Sequence, residues 1–232
     1  AGIAHEINNP TSFISGNVQT LDMFWKDIVD AIGTQEIVTR GTKVPFIRDE
    51  MPKLIAEMRS GVSRISRIVN SLRGYSHVDT GKKVAVDVNA CVDEALVLCR
   101  NNLMHGVNVN RNLESGIPSV FGDATQLSQV LVNLITNAAQ AMGPRGGDLR
   151  IETGKRNGDV VLSVRDTGPG IAVEHLDRVW LPFFTTKEVG EGTGLGLPIC
   201  QRIVEEHGGS IGAANHPDGG AQFTISLPIR KE

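Results

Sequence analysis

The first residues that could do chemistry lie at positions 4–10, which read Ala-His-Glu-Ile-Asn-Asn-Pro. A histidine imidazole is largely neutral at pH 7, so the free ring nitrogen of His5 can act as a nucleophile. Glu6 could accept a hydrogen bond from the other ring nitrogen and select the reactive tautomer. Asn9 follows one helical turn after His5. A His-Glu pair on a helix is more often a solvated surface feature, so this string alone does not establish a reaction.

Two asparagines form a second candidate group. Residues 123–142 are predicted to form an amphipathic helix, with Asp123 as its N-cap and Gly143-Pro144 as its stop. Asn133 and Asn137 are four residues apart and therefore share one face, at the border of the apolar stripe. Their carboxamides could meet phosphate oxygens or a magnesium ion, although ordinary surface amides would have the same spacing.

A third group is the loop Asp166-Thr167-Gly168-Pro169-Gly170, which comes directly after a predicted strand. Asp166 could accept a hydrogen bond from the amine of a base. Gly168 and Gly170 would let the backbone approach a flat ligand closely. Taken alone, the segment is better explained as a turn that begins with an aspartate.

A second glycine-rich loop, Gly192-Thr193-Gly194-Leu195-Gly196, leads into a helix predicted at residues 195–207. Backbone N–H groups of such a loop at a helix start can bind an anion. Upstream, residues 182–187 place two phenylalanines before the cation of Lys187. This arrangement would suit a mobile lid over phosphates, but a glycine string alone is a weak signal.

The elements that must position these residues fall into two parts. In residues 1–78, apolar residues recur at alternating steps of three and four, which predicts one narrow apolar seam on each of two helices. Breaks from Gly33 to Pro45 predict a helical hairpin with a long bend. We expect two copies to pair into a four-helix bundle, the alternative being a monomeric hairpin packed on the second domain. The two series are Ala4, Ile7, Thr11, Ile14, Val18, Leu21, Trp25, Ile28 and Ile32, and Met51, Ile55, Met58, Val62, Ile65, Val69 and Leu72.

The periodicity changes after a linker at Thr80-Gly81. A helix is predicted at residues 89–102, with Cys91, Ala95 and Leu98 facing inward. Asn157-Gly158 signals a hairpin turn. Helices interleaved with hairpins indicate an α+β sandwich, with one mixed sheet and helices on one face. The predicted strands are residues 83–88, 107–113, 149–153, 160–164, 210–215 and 221–227.

Composition limits the classes of protein that remain. The 232 residues carry a net charge of −3, which does not favour nucleic acid as a partner. Three cysteines at irregular spacing fit a reducing compartment better than a disulfide framework. No run of 18 or more apolar residues is present, so we expect a cytoplasmic fragment, with any membrane anchor in an upstream segment.

Together and in this order, the asparagine pair, the Asp166 loop, the stretch Phe183-Phe184-Thr185-Thr186-Lys187 and the glycine loop resemble the GHKL ATPases, over about residues 87–228. This family includes histidine kinases, DNA gyrase, the mismatch-repair ATPase and mitochondrial-type protein kinases. The resemblance implies a Bergerat-type α/β sandwich that binds ATP and Mg²⁺. It implies that Asp166 recognises adenine, that Gly168 and Gly170 line the base, and that Thr224 supplies a hydroxyl on the adenine side. It implies magnesium binding by Asn137. The residues implied to contact the phosphates are Asn133, Lys187, Gly192, Gly194 and Gly196.

Residues 4–10 are similar to the H box of histidine kinases, particularly the nitrogen-regulation-like branch, which has Asn-Pro after His-Glu. The resemblance implies a dimerisation and phosphoacceptor hairpin at 1–78, a linker and first strand at 79–86, and a catalytic domain at 87–232. It also implies autophosphorylation of His5 by ATP and transfer to an aspartate of a response-regulator receiver domain. Glu6 and Asn9 match the Glu-x-x-Asn phosphatase motif of that family.

Two other functions stay open at this point. One is a conformational clamp driven by ATP without a phosphoprotein intermediate, against which the His5 string argues. The other is a degenerate kinase that acts as a binding scaffold, against which the intact asparagine pair, Asp166 and the glycine loop argue. Detection of phosphohistidine after incubation with ATP would separate the three.

Overall fold

The computed structural model describes residues 2–32, 38–39, 42–43, 49–62, 65, 83–104, 106–187 and 192–229. The chain divides into two compact units, Ala1–Val78 with Thr185–Thr193, and Asp79–Phe184 with Gly194–Glu232. None of the helices in the described ranges combines the length and the apolar character that a membrane span needs.

The first unit is built on two helices, α1 (Gly2–Ile32) and α2 (residues 49–62). Their burial follows the predicted seven-residue repeat, because Thr11 and Val18 are buried on α1 and Ile55 and Val62 on α2. The positions that alternate with these along the predicted seam are 40–48% exposed: Ile14, Leu21, Ile28, Met58 and Ile65. Each helix therefore buries only part of its apolar seam within this chain.

A short strand pair lies between the two helices in sequence. β1 (Val38–Thr39) and β2 (Thr42–Lys43) pair antiparallel, with Val38 opposite Lys43 and Thr39 opposite Thr42. The long bend predicted from Gly33 to Pro45 thus contains regular structure. The other residues of that bend, and most of the segment after residue 62 that the seam predicts as helical, lie outside the described residues.

The second unit is built on a five-stranded sheet with strand order β4-β6-β7-β9-β8. β4 runs parallel to β6, and the other neighbouring pairs are antiparallel. The mixed sheet that the sequence predicts is therefore confirmed. A separate antiparallel pair joins β3 (Val84–Val86) to β5 (Val120–Gly122). The strands of the main sheet are β4 (Val107–Leu113), β6 (Gly147–Arg156), β7 (Asp159–Arg165), β8 (Ser210–Asn215) and β9 (Ala221–Pro228).

Helices pack on this sheet through one continuous core. Alternate residues of β6, β7 and β9 are buried together with the apolar faces of α3 (Val88–Leu98), α5 (Ala124–Met142) and α6 (Gly196–Glu206). A short helix, α4 (Arg100–Leu103), follows α3. The combination of a mixed sheet with packed helices confirms the predicted α+β class. The core includes Leu131, Leu134, Ile135, Leu149, Ile151, Val160, Val164 and Leu195.

Two local sequence signals lead to the predicted structure. Asp123 is the N-cap of α5, since its Oδ1 accepts hydrogen bonds from the N–H groups of Thr125 at 2.8 Å and Gln126 at 3.3 Å. Asn157 and Gly158 have φ angles of 50° and 91°, as a two-residue turn between β6 and β7 requires.

One residue predicted to face inward, Leu98, is instead 64% exposed. Helix α3 ends at Leu98, and Cys99 has φ −86° and ψ 3° before α4 begins at Arg100. Cys99 lies four residues after Ala95 and its N–H donates to the carbonyl oxygen of Ala95 at 2.9 Å, so the buried face continues through Cys91, Ala95 and Cys99 and leaves Leu98 beyond its edge.

His207 connects the ends of two helices. Its Nε2 accepts a hydrogen bond from the N–H of Asp123 at 2.9 Å, and its Nδ1 lies 2.7 Å from the carbonyl oxygen of Ile203. This pattern requires the tautomer with its proton on Nδ1. The ring also fills the space beside Gly122, where a Cβ would overlap Cδ2 and lie 2.6 Å from Nε2.

Gly122→Ala should therefore destabilise the protein by about 1–3 kcal/mol, because the doubly bonded ring of His207 cannot move away freely. The measurement is urea unfolding followed by circular dichroism. Gly212→Ala is the control, since a Cβ there meets nothing within 4 Å. Equal unfolding midpoints for the two variants would contradict this account of His207.

Candidate functional site

The centre of the candidate site is a carboxylate at the end of β7. Asp166 is 3% exposed, and its Oδ1 accepts hydrogen bonds from the N–H groups of Gly168 at 2.8 Å and Ala221 at 3.3 Å. Burial raises the pKa of Asp166, while these two hydrogen bonds oppose the rise. Among the described residues both of its hydrogen bonds go to Oδ1, so Oδ2 can accept one from a ligand.

Glycines bring the backbone close to this carboxylate. A Cβ at Gly168 would lie 2.9 Å from Asp166 Oδ1 and 3.3 Å from the carbonyl carbon of Ala141 at the end of α5. At Gly220 a Cβ would overlap the carbonyl oxygen of Asp166, and its φ of +83° is one that glycine adopts readily. Sequence reasoning missed Gly220, although it ends a run of turn residues just before β9.

The loop after Asp166 is held by Asn215 at the end of β8. Asn215 Oδ1 accepts a hydrogen bond from the N–H of Ile171 at 2.7 Å, and its Nδ2 donates one to the carbonyl of Ile171 at 2.6 Å. Gly170, with φ +78°, packs against the same amide, since a Cβ would lie 2.8 Å from Asn215 Oδ1. No sequence signal pointed to Asn215, because Ile171 is 44 residues away in the chain.

The asparagine face of α5 is turned toward α6. Asn133 Nδ2 donates a hydrogen bond to Cys200 Sγ at 3.7 Å. A Cβ at Gly196, the first residue of α6, would lie 4.0 Å from Asn137 Nδ2. The structure thus brings both asparagines, which are half-buried, to the α6 helix, with Asn137 beside its first residue.

Gly194 and Phe183 meet in a tight pair. The N–H of Phe183 donates to the carbonyl of Gly194 at 2.9 Å, and a Cβ at Gly194 would lie 2.6 Å from Phe183 Cα. Both have left-handed φ angles, +64° for Gly194 and +67° for Phe183. A side chain at Gly194 is therefore excluded by space as well as by conformation.

Lys187 and Gly192 belong to the segment Thr185–Thr193 of the first unit. The N–H of Lys187 donates to Thr185 Oγ1 at 3.2 Å. A Cβ at Gly192 would overlap that hydroxyl and lie 3.3 Å from Lys187 Cβ. These two predicted residues therefore lie together, while residues 188–191 between them are outside the described part.

Thr224 is not brought to the carboxylate. In β9 it pairs with Ser163 of β7 and Gly212 of β8, whereas Phe223 pairs with Val164. Because side chains alternate along a strand, Thr224 lies on the sheet face opposite to the buried residues Phe223 and Asp166. The adenine-side hydroxyl implied for Thr224 stays a prediction, and the β9 residue bonded to Asp166 is Ala221.

His5, Glu6 and Asn9 lie in the first turns of α1. Their side chains are outside the described part of the chain, so their proposed chemistry stays a prediction.

Residues 122–231 match the family model described as the histidine kinase-, DNA gyrase B- and HSP90-like ATPase. The sensor histidine kinase ZraS of Escherichia coli strain K12 is 33% identical over 230 residues, which cover 99% of this chain and 44% of ZraS. The catalytic domain of histidine kinase ThkA is 32% identical, with a TM-score of 0.58, covering 64% of this chain and 97% of that domain. The chain belongs to the histidine kinases of the GHKL superfamily.

A further solved histidine kinase structure extends the likeness over both units of the chain. ThkA in complex with the response regulator protein TrrA is 28% identical, with a TM-score of 0.66, covering 99% of this chain and 60% of that one. This chain spans 44% of the length of ZraS and 34% of that of the signal transduction histidine-protein kinase AtoS of Escherichia coli strain K12. The nitrogen-regulation-like branch stays a prediction.

Asp166→Asn should stabilise the fold increasingly as pH rises. The raised pKa of Asp166 means that the folded protein binds this proton more tightly than the unfolded chain does. The carboxylate's contribution is therefore most favourable below its ordinary pKa of 3.8 and declines as pH rises to the raised pKa. An amide keeps an oxygen acceptor and carries no charge, so it avoids this decline.

The measurement for this variant is urea unfolding between about pH 4 and about pH 8. The exposed Asp177→Asn is the control and should show no such trend. An advantage of Asp166→Asn that stays constant or shrinks with rising pH would show that the cost of burying the charge does not exceed the stabilisation by its hydrogen bonds.

Proposed function

We propose that this chain binds ATP in its second unit and transfers the γ-phosphoryl group to His5. The observation that carries the ATP site is Asp166, a buried carboxylate whose neighbours Gly168 and Gly220 leave no space for side chains. An adenine amine can donate a hydrogen bond to such a carboxylate. The family match over residues 122–231 supports the same nucleotide.

The phosphates would lie near the start of α6, where Gly194 and Gly196 offer backbone N–H groups. Asn133 would lie beside the phosphates. Lys187 and Gly192, from the segment Thr185–Thr193, would also contact them. Asn137 would bind magnesium through its amide oxygen. Mg²⁺ is commonly held by one or two protein oxygens plus phosphates, which fits a chain whose described residues form no cluster of three His, Cys, Asp or Glu side chains for a metal. Bound magnesium would neutralise charge on the phosphates.

His5 would supply the acceptor nitrogen. A ring nitrogen attacks the γ-phosphorus, the bond to the bridging oxygen breaks, and ADP leaves with that oxygen. Glu6 would accept a hydrogen bond from the other ring nitrogen and so keep the attacking nitrogen free of its proton. Because the transition state is loose, alignment and charge stabilisation supply most of the catalysis.

The phosphoryl group would next pass to an aspartate of a response-regulator receiver domain. The crystal structure of ThkA in complex with the response regulator TrrA supports a partner of this class. Asn9 would place a water against the regulator's phosphoaspartate, so the proposal includes phosphatase activity. This part of the proposal is supported by the match of Glu6 and Asn9 to the Glu-x-x-Asn phosphatase motif of the histidine kinases.

A second copy of the chain would cover the open side of the helical seam. Ile14, Leu21 and Ile28 on α1 are exposed, and an identical hairpin could bury them in a four-helix bundle. Residues 1–78 would then be the dimerisation and phosphoacceptor domain. Residues 79–86 would form the linker and first strand, and residues 87–232 the catalytic domain.

His5→Gln should abolish acid-labile labelling from radiolabelled ATP and leave nucleotide affinity nearly unchanged, because glutamine removes the nucleophile without touching the ATP site. Labelling is measured after gel separation with and without acid treatment. Labelling of the variant at the wild-type rate would place the acceptor elsewhere. Absence of phosphohistidine in the unchanged protein would favour a clamp or a scaffold.

Asn137→Asp should have the opposite effect and weaken magnesium-ATP binding by at least about tenfold, since the added negative charge repels the phosphates of the nucleotide. Calorimetric titration gives the affinity, and circular dichroism checks that both units stay folded. Asn157→Asp, in the exposed β6–β7 turn, is the control. Unchanged affinity in Asn137→Asp would remove Asn137 from the site.

A further inference from the structure

Cys200 is a buried thiol of α6 that contacts the asparagine face of α5. Its Sγ accepts a hydrogen bond from Asn133 Nδ2 at 3.7 Å and donates one to the carbonyl oxygen of Val130 at 3.8 Å. Val130 lies three residues before Asn133 on the same helix. The thiol therefore ties the Asn133 carboxamide to the backbone of α5 through an atom of α6.

The protonation state of Cys200 suits this arrangement. Burial raises the pKa of the thiol to about 12, so Cys200 keeps its proton at physiological pH. A protonated thiol can donate to a carbonyl and accept from an amide at the same time, whereas a thiolate could only accept. Cys200 is 0% exposed, so water does not compete for either hydrogen bond.

The contact also selects the orientation of the carboxamide. Because Nδ2 of Asn133 points at the sulfur, Oδ1 of the same amide points away from Cys200. In the opposite rotamer of Asn133 the acceptor Oδ1, instead of the donor Nδ2, would face the sulfur of Cys200. The identity of residue 200 thus influences which atom of Asn133 a bound nucleotide meets.

We infer that Cys200 is a positioning residue of the nucleotide site, which holds the Asn133 carboxamide in its ligand-binding orientation. This inference rests on the proposed function, because it assigns Asn133 to the surroundings of the ATP phosphates. Cys200 itself contacts neither reactant and acts through Asn133.

Cys99 offers a matched comparison in the same core. It is 2% exposed and approaches a different face of α5, with Sγ 3.8 Å from both the carbonyl oxygen of Val132 and Thr136 Oγ1. Burial raises its pKa as well. Its described partners do not include an asparagine, so loss of this thiol should disturb packing without turning Asn133.

The test compares Cys200→Val, Cys200→Ser and Cys99→Val in the full 232-residue chain. Valine removes both hydrogen bonds while it keeps an apolar side chain of similar size, and serine keeps a donor and an acceptor. Three quantities are measured: the thermal unfolding midpoint, the affinity for a non-hydrolysable ATP analogue with magnesium, and the Asn133 side-chain amide resonances in a ¹⁵N spectrum. The amide resonances report whether the hydrogen bond from Asn133 to residue 200 is present, which the unfolding midpoint and the affinity alone do not show.

We expect Cys200→Val to bind the analogue about three- to tenfold more weakly than the unchanged protein, as the loss of one hydrogen bond in the site would predict. Its Asn133 amide resonances should shift, and Cys200→Ser should restore most of the affinity. Cys99→Val should change the unfolding midpoint by a similar amount and keep the affinity within about twofold.

Two results would overturn the inference. One is wild-type affinity in Cys200→Val with unshifted Asn133 resonances. The other is an equal loss of affinity in Cys99→Val and Cys200→Val, which would indicate a general packing effect. If Cys200→Val does not fold, a folded Cys200→Ser protein that binds the analogue about three- to tenfold more weakly than the unchanged protein would count equally against the inference. An unchanged protein that fails to bind the analogue at all would instead remove the proposed function.

Discussion

The proposed nucleotide site depends on one carboxylate, Asp166, which is buried in the second unit. Removing Asp166 from water costs free energy and raises its pKa, and the N–H groups of Gly168 and Ala221 offset part of that cost. These donors come from the loop after β7 and from the start of β9. The carboxylate therefore also fixes how two loops meet. Backbone that approaches so closely has no space for Cβ atoms, which explains glycine at 168 and at 220.

Helix α5 contributes residues both to the core and to the proposed nucleotide site. Its buried face, which includes Leu131 and Leu134, belongs to the core, and the neighbouring border carries the two asparagines. Its start is capped by Asp123, which His207 contacts in turn. Side chains placed on such a rigid helix are positioned more sharply than side chains on a loop. The positions of Asn133 and Asn137 are therefore fixed by the packing of α5 in the core, which the two residues alone do not reveal.

What the sequence predicts correctly is mostly local. The cap at Asp123 and the turn at Asn157-Gly158 depend on residues within three positions of each other. The seven-residue repeat of α1 is equally local, and burial of Thr11 and Val18 follows it. Such signals need no knowledge of the rest of the fold.

The omissions concern contacts between distant segments. The role implied for Thr224 depends on the register of the last strand, because a shift of one residue moves a side chain to the other face of a sheet. Cys200 lies 67 residues from Asn133, and Ala221 lies 55 residues from Asp166. A lone buried cysteine or alanine carries no sequence signal for such a partner. Its place in the site is determined only when the sheet and helices pack.

The residues proposed to bind ATP belong to both units of the chain. Asp166, Asn133 and Gly196 belong to the unit that contains the continuous core. Lys187 instead belongs to the segment Thr185–Thr193, where its N–H is bonded to Thr185. Base recognition can therefore be built into the fold before any nucleotide arrives, because its donors and glycines are fixed by the core.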